Sequence, residues 1–198
     1  QPGTQPDGRR HFFRLRDYAG RGVITTATYE ARALGVHSAM GVMKAAKLAP
    51  DAILLPVDFT AYRHYSRLFK AAVAGIVTTI EDSGIDEIYL DLSDLPDETR
   101  ALATRLKQAV KDATGLSCSI GIAPNKLLAK ICSDLEKPDG LTILAAADIP
   151  ERIWPLSVRK INGIGPKAAE KLASLGITTI AGLAQTGLSL LRHHFGRS

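Results

Sequence analysis

Cysteine is scarce in this 198-residue chain: Cys118 and Cys132 are the only two, and they show no metal-ligand spacing and no disulfide framework. A reducing setting, the cytoplasm, is therefore the expected location. Long apolar runs are missing as well, since no stretch reaches the about 18 apolar residues that a membrane-spanning helix needs. A leader is not expected either, because the N-terminus is polar and arginine-rich and has no apolar segment of the signal type. What is present is ordinary for a globular chain, with 45% hydrophobic and 23% charged residues. The length suits one to two domains with a substantial core.

The charge is distributed unevenly. Residues 1–48 hold eight Lys/Arg against three Asp/Glu, residues 49–148 hold ten against fifteen, and residues 149–198 hold seven against two. An acidic centre between basic ends suits a metal-binding carboxylate site flanked by surfaces that meet a polyanion; solvated helix faces would give the same balance.

The centre of that acidic section is Ile85-Asp86-Glu87-Ile88-Tyr89-Leu90-Asp91-Leu92. Its alternation predicts a strand with Asp86, Ile88, Leu90 and Leu92 on one face and Glu87, Tyr89 and Asp91 on the other. A strand anchored by its apolar row and carrying two acids can hold hard oxygen ligands for Mg²⁺ and phosphate chemistry. The bland alternative makes Asp86 and Glu87 solvated residues at a strand start.

Residues 1–20 are expected to be irregular, given Pro2, Gly3, Pro6, Asp7 and Gly8. Arg9, Arg10, Arg14 and Arg16 around Phe12 and Phe13 give that segment the character of a basic tail. Structure is expected to begin with a strand at Val23–Ala27, followed by a short helix from Tyr29 to Leu34 stopped by Gly35. Tyr29 and Arg32 share a helical face near Thr26 and can grip a triphosphate; otherwise Tyr29 packs and Arg32 pairs with a surface acid. A helix at Val42–Leu48 and a brief strand at Ile53–Leu55 follow.

Tyr62–Ile80 is predicted as a core helix, with Tyr65, Leu68, Phe69, Ala72, Ile76 and Ile80 in phase. After the acidic strand comes a helix over Asp97–Ala113, capped by Asp97 and burying Leu102, Leu106, Ala109 and Val110. A strand at Ser117–Ala123 leads to a helix opened by Pro124 at its first position, with Leu127, Leu128, Ile131 and Leu135 inward. A last strand spans Leu141–Leu144, making a layered α/β section of about 60 residues. In the turn Lys137-Pro138-Asp139-Gly140, the lysine either complements a helix end or projects to a phosphate.

The final section contains Ile161-Asn162-Gly163-Ile164-Gly165-Pro166-Lys167, a helix, and then a Leu175-Gly176-Ile177 step, which is the helix-hairpin-helix pattern. Gly163 and Gly165 let backbone N–H groups approach a phosphate, with Arg159, Lys160 and Lys167 adding charge. Such a grip holds a nucleic-acid backbone and reads no sequence.

Together these pieces resemble the Y-family translesion DNA polymerases, and within them the bacterial DNA polymerase IV group. The matching words are Tyr29-Glu30-Ala31-Arg32 with Gly35-Val36, Ile85-Asp86-Glu87 with Tyr89-Leu90-Asp91, Ser119 to Lys126, Lys137-Pro138-Asp139-Gly140, and Gly163-Ile164-Gly165. They stand in family order over residues 20–196. The resemblance implies an α+β fold: a polymerase-type palm, with a mixed sheet and packed helices, plus small fingers and an α-helical helix-hairpin-helix thumb. After an irregular segment at 1–19, it implies fingers at 20–57, palm at 58–148 and part of a thumb at 149–198.

By position, the resemblance makes Asp86 and Glu87 catalytic, metal-binding carboxylates for two Mg²⁺ ions. Thr26, Tyr29, Arg32 and Lys137 would hold the nucleotide phosphates, and Arg159, Lys160, Gly163, Gly165 and Lys167 the DNA. The implied reaction is transfer from a dNTP to a primer 3′-hydroxyl on primer-template DNA, past damaged bases. A sliding clamp would be a further partner, reached through regions outside these residues.

The sequence also departs from the family. The first-strand aspartate and the steric-gate aromatic have no counterpart before Val23, and Gly84 stands where the family usually has serine. The thumb stops near Phe195-Gly196 without the extra DNA-binding domain, so a chain cut at both ends is expected. Two alternatives follow: a catalytically inactive polymerase-like protein that binds DNA or a partner, and a helix-hairpin-helix module on an unrelated α/β domain.

Overall fold

The computed structural model describes residues 12–93 and 98–196. The chain divides into two compact units, Gln1–Tyr62 and Arg63–Ser198. Among the described residues no helix is long and apolar enough to cross a membrane.

The first unit is built on a small strand pair. β1 (Phe13–Arg14) lies antiparallel to a later strand, with Phe13 opposite Leu54 and Arg14 opposite Ile53. The irregular stretch expected up to residue 20 is thus interrupted by a strand. Its arginines are held in place, since Arg14 pairs with Asp51 at 3.0 Å and Arg16 pairs with the same carboxylate. A 3₁₀ turn at Leu15–Asp17 buries Leu15. The strand expected at Val23–Ala27 reduces to one bridge, Val23 with Gly41. Thr28 then caps α1 (Tyr29–Ala33), its hydroxyl accepting from the Ala31 N–H. α2 (Val42–Leu48) and β2 (Ile53–Leu54) complete the unit. Its core is Leu15, Ile24, Val36, Met40, Val42, Ala45 and Ala49.

α3 (Phe59–Ala74) runs from the end of the first unit into the second. The predicted helix extended to Ile80; the chain instead leaves the helix at Gly75 and enters β3 (Ile80–Asp82). Ile76 and Ile80 keep the apolar phase and still pack on the same core as Val73 and Val77, but from a turn and a strand. The β-branched run Val77-Thr78-Thr79-Ile80 favours that extended exit. β4 (Ile88–Leu90) pairs antiparallel with β3: Ile80 opposite Leu90, Glu81 opposite Tyr89, Asp82 opposite Ile88. The predicted strand is therefore shorter than Ile85–Leu92, and Asp86 and Glu87 belong to the turn that enters it. Its apolar row, Ile88, Leu90 and Leu92, does pack on the core formed with α4.

α4 (Thr99–Thr114) buries Leu102, Ala103, Leu106 and Val110. Its cap is Glu98, whose carboxylate accepts from the Ala101 N–H at 2.8 Å; the predicted cap, Asp97, lies outside the described residues. β5 (Ile120–Ile122) leads to α5 (Lys126–Leu135), and β6 (Leu141–Ile143) returns parallel to β5 in the register Ile120–Leu141, Gly121–Thr142, Ile122–Ile143. The expected alternation of strand and helix from β4 to β6 is present. Asn125, not Pro124, starts α5: its side chain accepts from the Leu128 N–H at 3.0 Å, so Pro124 stands just outside the helix. This phase turns Leu128, Ile131 and Cys132 inward and leaves Leu127 exposed, against the expectation for Leu127. At Gly121 the strand lies directly on the helix: an added Cβ would stand 2.2 Å from the Ala129 carbonyl oxygen and 2.3 Å from the Ser133 nitrogen.

The last section is helical: α6 (Ile149–Arg152), α7 (Pro166–Ser174), α8 (Ile180–Gln185) and α9 (Leu188–Phe195). Ile153 and Ile180 join the α5 side of the core, while Val158, Leu172 and Ile177 form a separate cluster with Leu183, Leu191 and Phe195.

Candidate functional site

In the first unit, Thr26, Tyr29 and Arg32 come together. The Arg32 guanidinium donates from Nε to the Ala27 carbonyl at 2.9 Å and from Nη2 to the Thr26 hydroxyl at 3.5 Å. It also lies 5.7 Å from the centre of the Tyr29 ring, a cation–π arrangement. The Tyr29 ring is exposed, and no residue of α1 is buried. Tyr29 is thus not a packing residue, and Arg32 is braced by a carbonyl and a hydroxyl. An exposed guanidinium braced in this way offers its remaining N–H groups to an anion.

In the second unit, the acid pair stands at the mouth of the β3–β4 hairpin. The Ser83 N–H donates to the Glu87 carbonyl at 3.1 Å, closing the turn. Below it, Lys70 binds both oxygens of Asp82 at 2.8 Å and the Gly84 carbonyl at 2.7 Å. These contacts, the Lys70 hydrogen bond foremost and the Gly84 N–H next, hold the Asp82 carboxyl below its ordinary range. Two lysines of α5 reach the hairpin: Lys126 pairs with Glu81, and Lys130 pairs with Glu87. Burial works against the charge on Lys130. Its hydrogen bond to Glu87 and the charges of Asp134, Glu87 and Tyr89 outweigh that, so the ammonium titrates above an ordinary lysine. Asp86 is exposed and makes no ion pair among the described residues.

Lys137 heads the turn between α5 and β6 and pairs with Asp134 at 2.6 Å. The turn is anchored from α4 by Lys107, which donates to the carbonyls of Cys118 and Asp139, both at 2.7 Å, and to the Asp139 carboxylate at 2.5 Å. The Gly140 N–H donates to the Ser119 hydroxyl at 3.1 Å. Lys137 is therefore carried by a turn fixed at several points.

The helix-hairpin-helix turn borders an open cleft of about 380 Å³ lined by Lys130, Asp134, Arg159, Lys160 and the turn from Ile161 to Gly165. Gly163 adopts φ +94°, a conformation that side chains disfavour. Two of the turn's N–H groups are used internally, Ile164 to the Ile161 carbonyl at 3.1 Å and Gly165 to the Gly163 carbonyl at 3.2 Å. The first turn of α7 adds the N–H groups of Lys167 and Ala168, which have no partner within the helix. Arg159, Lys160, Gly163 and Gly165 line the cleft, while Lys167 stands on α7 beside it.

Three lining or bracing residues were missed in the sequence: Lys130, Asp134 and Lys107. A signal existed for Lys130, which stands four residues after Lys126 on a flank of α5 clear of Leu128, Ile131 and Cys132. Lys130 contacts Glu87 and lines the cleft, and Asp134 contacts Lys137 and lines the same cleft.

Asp86 and Glu87 are hard oxygen donors, the type that Mg²⁺ takes. Among the described residues, however, no group of three His, Cys, Asp or Glu side chains converges as a metal-holding set, and Glu87 is engaged by Lys130. The described residues match a divalent cation in donor type and fall short of one in donor number.

The chain matches the impB/mucB/samB family over residues 10–134 and the helix-hairpin-helix motif of the same family over residues 146–177. It is 43% identical over 182 residues to DNA polymerase IV of Methanoculleus marisnigri, covering 91% of this chain and 51% of that protein. It is 42% identical over 178 residues to DNA polymerase IV 1 of Bacillus subtilis, covering 89% of this chain and 43% of that protein. Among solved structures, DinB from Sulfolobus solfataricus superposes with a TM-score of 0.80 at 32% identity, covering 89% of this chain and 53% of that one. An insertion ternary complex of Dbh DNA polymerase gives 0.79 at 32% identity with the same coverage. The chain spans about half the length, or less, of these curated relatives. With a family match over more than half its residues and the family's hairpin motif behind it, the chain belongs to the impB/mucB/samB family, the Y-family DNA polymerases, and is similar to their DNA polymerase IV members.

Proposed function

We propose that this chain is the core of a translesion DNA polymerase, an enzyme that transfers a nucleotide from a dNTP to a primer 3′-hydroxyl opposite a damaged template base. The observation that carries this reading is the match of about nine-tenths of the chain to proteins named DNA polymerase IV. Thr26, Tyr29 and Arg32 cluster in one unit, and Lys137 sits on a braced turn in the other. Both arrangements suit a triphosphate, through guanidinium and ammonium donors aimed at its oxygens. Arg159, Lys160, Lys167 and the turn at Gly163 and Gly165 suit a DNA backbone, where positive charge and helix N–H groups bind without reading bases. Asp86 and Glu87 are the candidate ligands for divalent ions, Mg²⁺ in our reading. When bound, two such ions would lower the pKa of the attacking hydroxyl and neutralise charge on the phosphate.

One observation favours a second reading. Glu87 is paired with Lys130, and a third donor is lacking among the described residues, as in a polymerase-like protein that binds DNA without extending it. Primer extension with Mg²⁺ and dNTPs decides between them. Incorporation that disappears in Asp86→Ala supports the polymerase reading; retained DNA binding with no incorporation by the parent chain supports the second.

A further inference from the structure

Lys107 reaches from α4 to the turn at residues 137–140 and uses its whole donor capacity around it. The ammonium donates to the carbonyls of Cys118 and Asp139, both at 2.7 Å, and to the Asp139 carboxylate at 2.5 Å, with the Gly140 carbonyl a fourth acceptor at 3.4 Å. A lysine has three N–H donors, so none is left for a ligand, and only 20% of this side chain is open. The residue it grips, Asp139, adopts φ +55°. Side chains disfavour that left-handed conformation, and it persists where the surroundings hold it. The turn has little slack elsewhere. Pro138 locks its own φ at about −65°. Gly140 lies against the end of α5, where an added Cβ would stand 2.4 Å from the Glu136 carbonyl oxygen, and its N–H is bonded to the Ser119 hydroxyl at 3.1 Å. Lys137 thus starts from a backbone clamped between the end of α5 and a gripped Asp139. Its own pair with Asp134 is open on both sides, at 42% and 40%, and such a pair is weak.

From this arrangement we infer that Lys107 is a positioning residue for Lys137. By gripping Asp139 it holds the turn in one backbone conformation, and so fixes the point from which the Lys137 side chain reaches a triphosphate. Without the grip, Asp139 is free to leave the left-handed region, and Lys137 is spread over several backbone positions of which only some are competent to bind. The inference rests on the reading of Lys137 as a phosphate ligand. It adds that part of the affinity for the nucleotide is set on α4, by a side chain that does not touch it.

The test is a double-mutant cycle on dATP binding to the full chain, measured by equilibrium dialysis, with circular dichroism showing that each variant is folded. Lys137→Met should loosen binding about tenfold, the scale of a hydrogen bond to a charged group. If about one molecule in three keeps the competent turn, Lys107→Met should loosen it about threefold. That loss should vanish when Lys107→Met is added to Lys137→Met, because the residue acts only through Lys137. Asp139→Asn removes the ion pair but keeps a side chain that tolerates the left-handed backbone. It should loosen binding in the same Lys137-dependent way, and it takes the place of Lys107→Met if that variant does not fold. Lys111→Met is the control: this lysine braces the end of the same helix at the Gly115 carbonyl, 2.8 Å away, and its loss should leave dATP affinity at the parent value. Equal affinity in the parent chain and the folded variant overturns the inference. So does a loss of the same size with and without Lys137, or in Lys111→Met. If Lys137→Met binds dATP as the parent does, the phosphate reading of Lys137 falls, and the inference with it.

Discussion

Replacing Gly121 with alanine puts a methyl group into the backbone of α5. The added carbon would lie 2.2 Å from the Ala129 carbonyl oxygen and 2.3 Å from the Ser133 nitrogen, where ordinary contact begins at 3.4 Å. Strand and helix must separate by about 1.2 Å, and the atoms in the way are helix backbone, which cannot rotate aside as a side-chain tip can. Overpacking of this kind costs about 1–3 kcal/mol, and backbone obstruction puts Gly121→Ala at the upper end, about 3 kcal/mol. For a chain of this size that corresponds to a fall in Tm of about 6–12 °C. Gly75→Ala is the control, because its new carbon would meet its nearest neighbour, the Ala72 carbonyl oxygen, at 3.5 Å; a change within about 0.5 kcal/mol is expected there. Urea unfolding followed by circular dichroism measures both. If Gly121→Ala unfolds within 0.5 kcal/mol of the parent chain, the close approach of β5 to α5 is not what holds that register.

Lys107→Met should destabilise the chain by about 2 kcal/mol, the scale of hydrogen bonds to a charged group, with Lys107→Arg recovering part of it in the same urea titration. The carboxyls of Asp82, Asp91 and Glu98 all lie below their ordinary values, through Lys70, the Ser93 side chain and the Ala101 N–H respectively. Depressed carboxyls add stability that is present above about pH 4 and lost as pH falls through the lower folded values. The urea midpoint should therefore drop between pH 5 and pH 3, and Asp82→Asn should flatten that drop. Lys167→Ala should weaken DNA binding at all sequences and reduce the salt slope by about one, measured by fluorescence anisotropy. Arg32→Ala should alter binding only when nucleotide is present. An unchanged DNA affinity in Lys167→Ala would remove the hairpin from the interface.

Local chemistry made much of the fold legible. The phase of Leu102, Leu106 and Val110 fixes the buried face of α4, and the strands around α4 and α5 follow from short β-branched runs between clear helices. The strands that stayed hidden depend on distant partners. β1 exists because Ile53–Leu54 offers it a ladder and Asp51 holds its arginines, none of which is visible around Phe13 itself. β3 was masked because Ile76 and Ile80 continue the helical phase of α3 past Gly75. At the site, residue types pointed to Asp86, Glu87, Arg32 and Lys137. Their resting partners did not show, because Lys130 meets Glu87 only once α5 is laid against the hairpin.

The pairing of Lys130 and Lys137 with Glu87 and Asp134 also bears on how salt dependence is interpreted. A lysine neutralised by a carboxylate of its own chain gathers few dissolved anions. When it turns to a phosphate, the carboxylate it leaves must recruit a sodium or potassium ion from solution. That uptake offsets part of the ion release that normally steepens the fall of affinity with salt. For any polyanion drawn to these lysines, the logarithmic slope will therefore undercount the contacts made, and the shortfall should disappear when Glu87 and Asp134 are replaced by their amides.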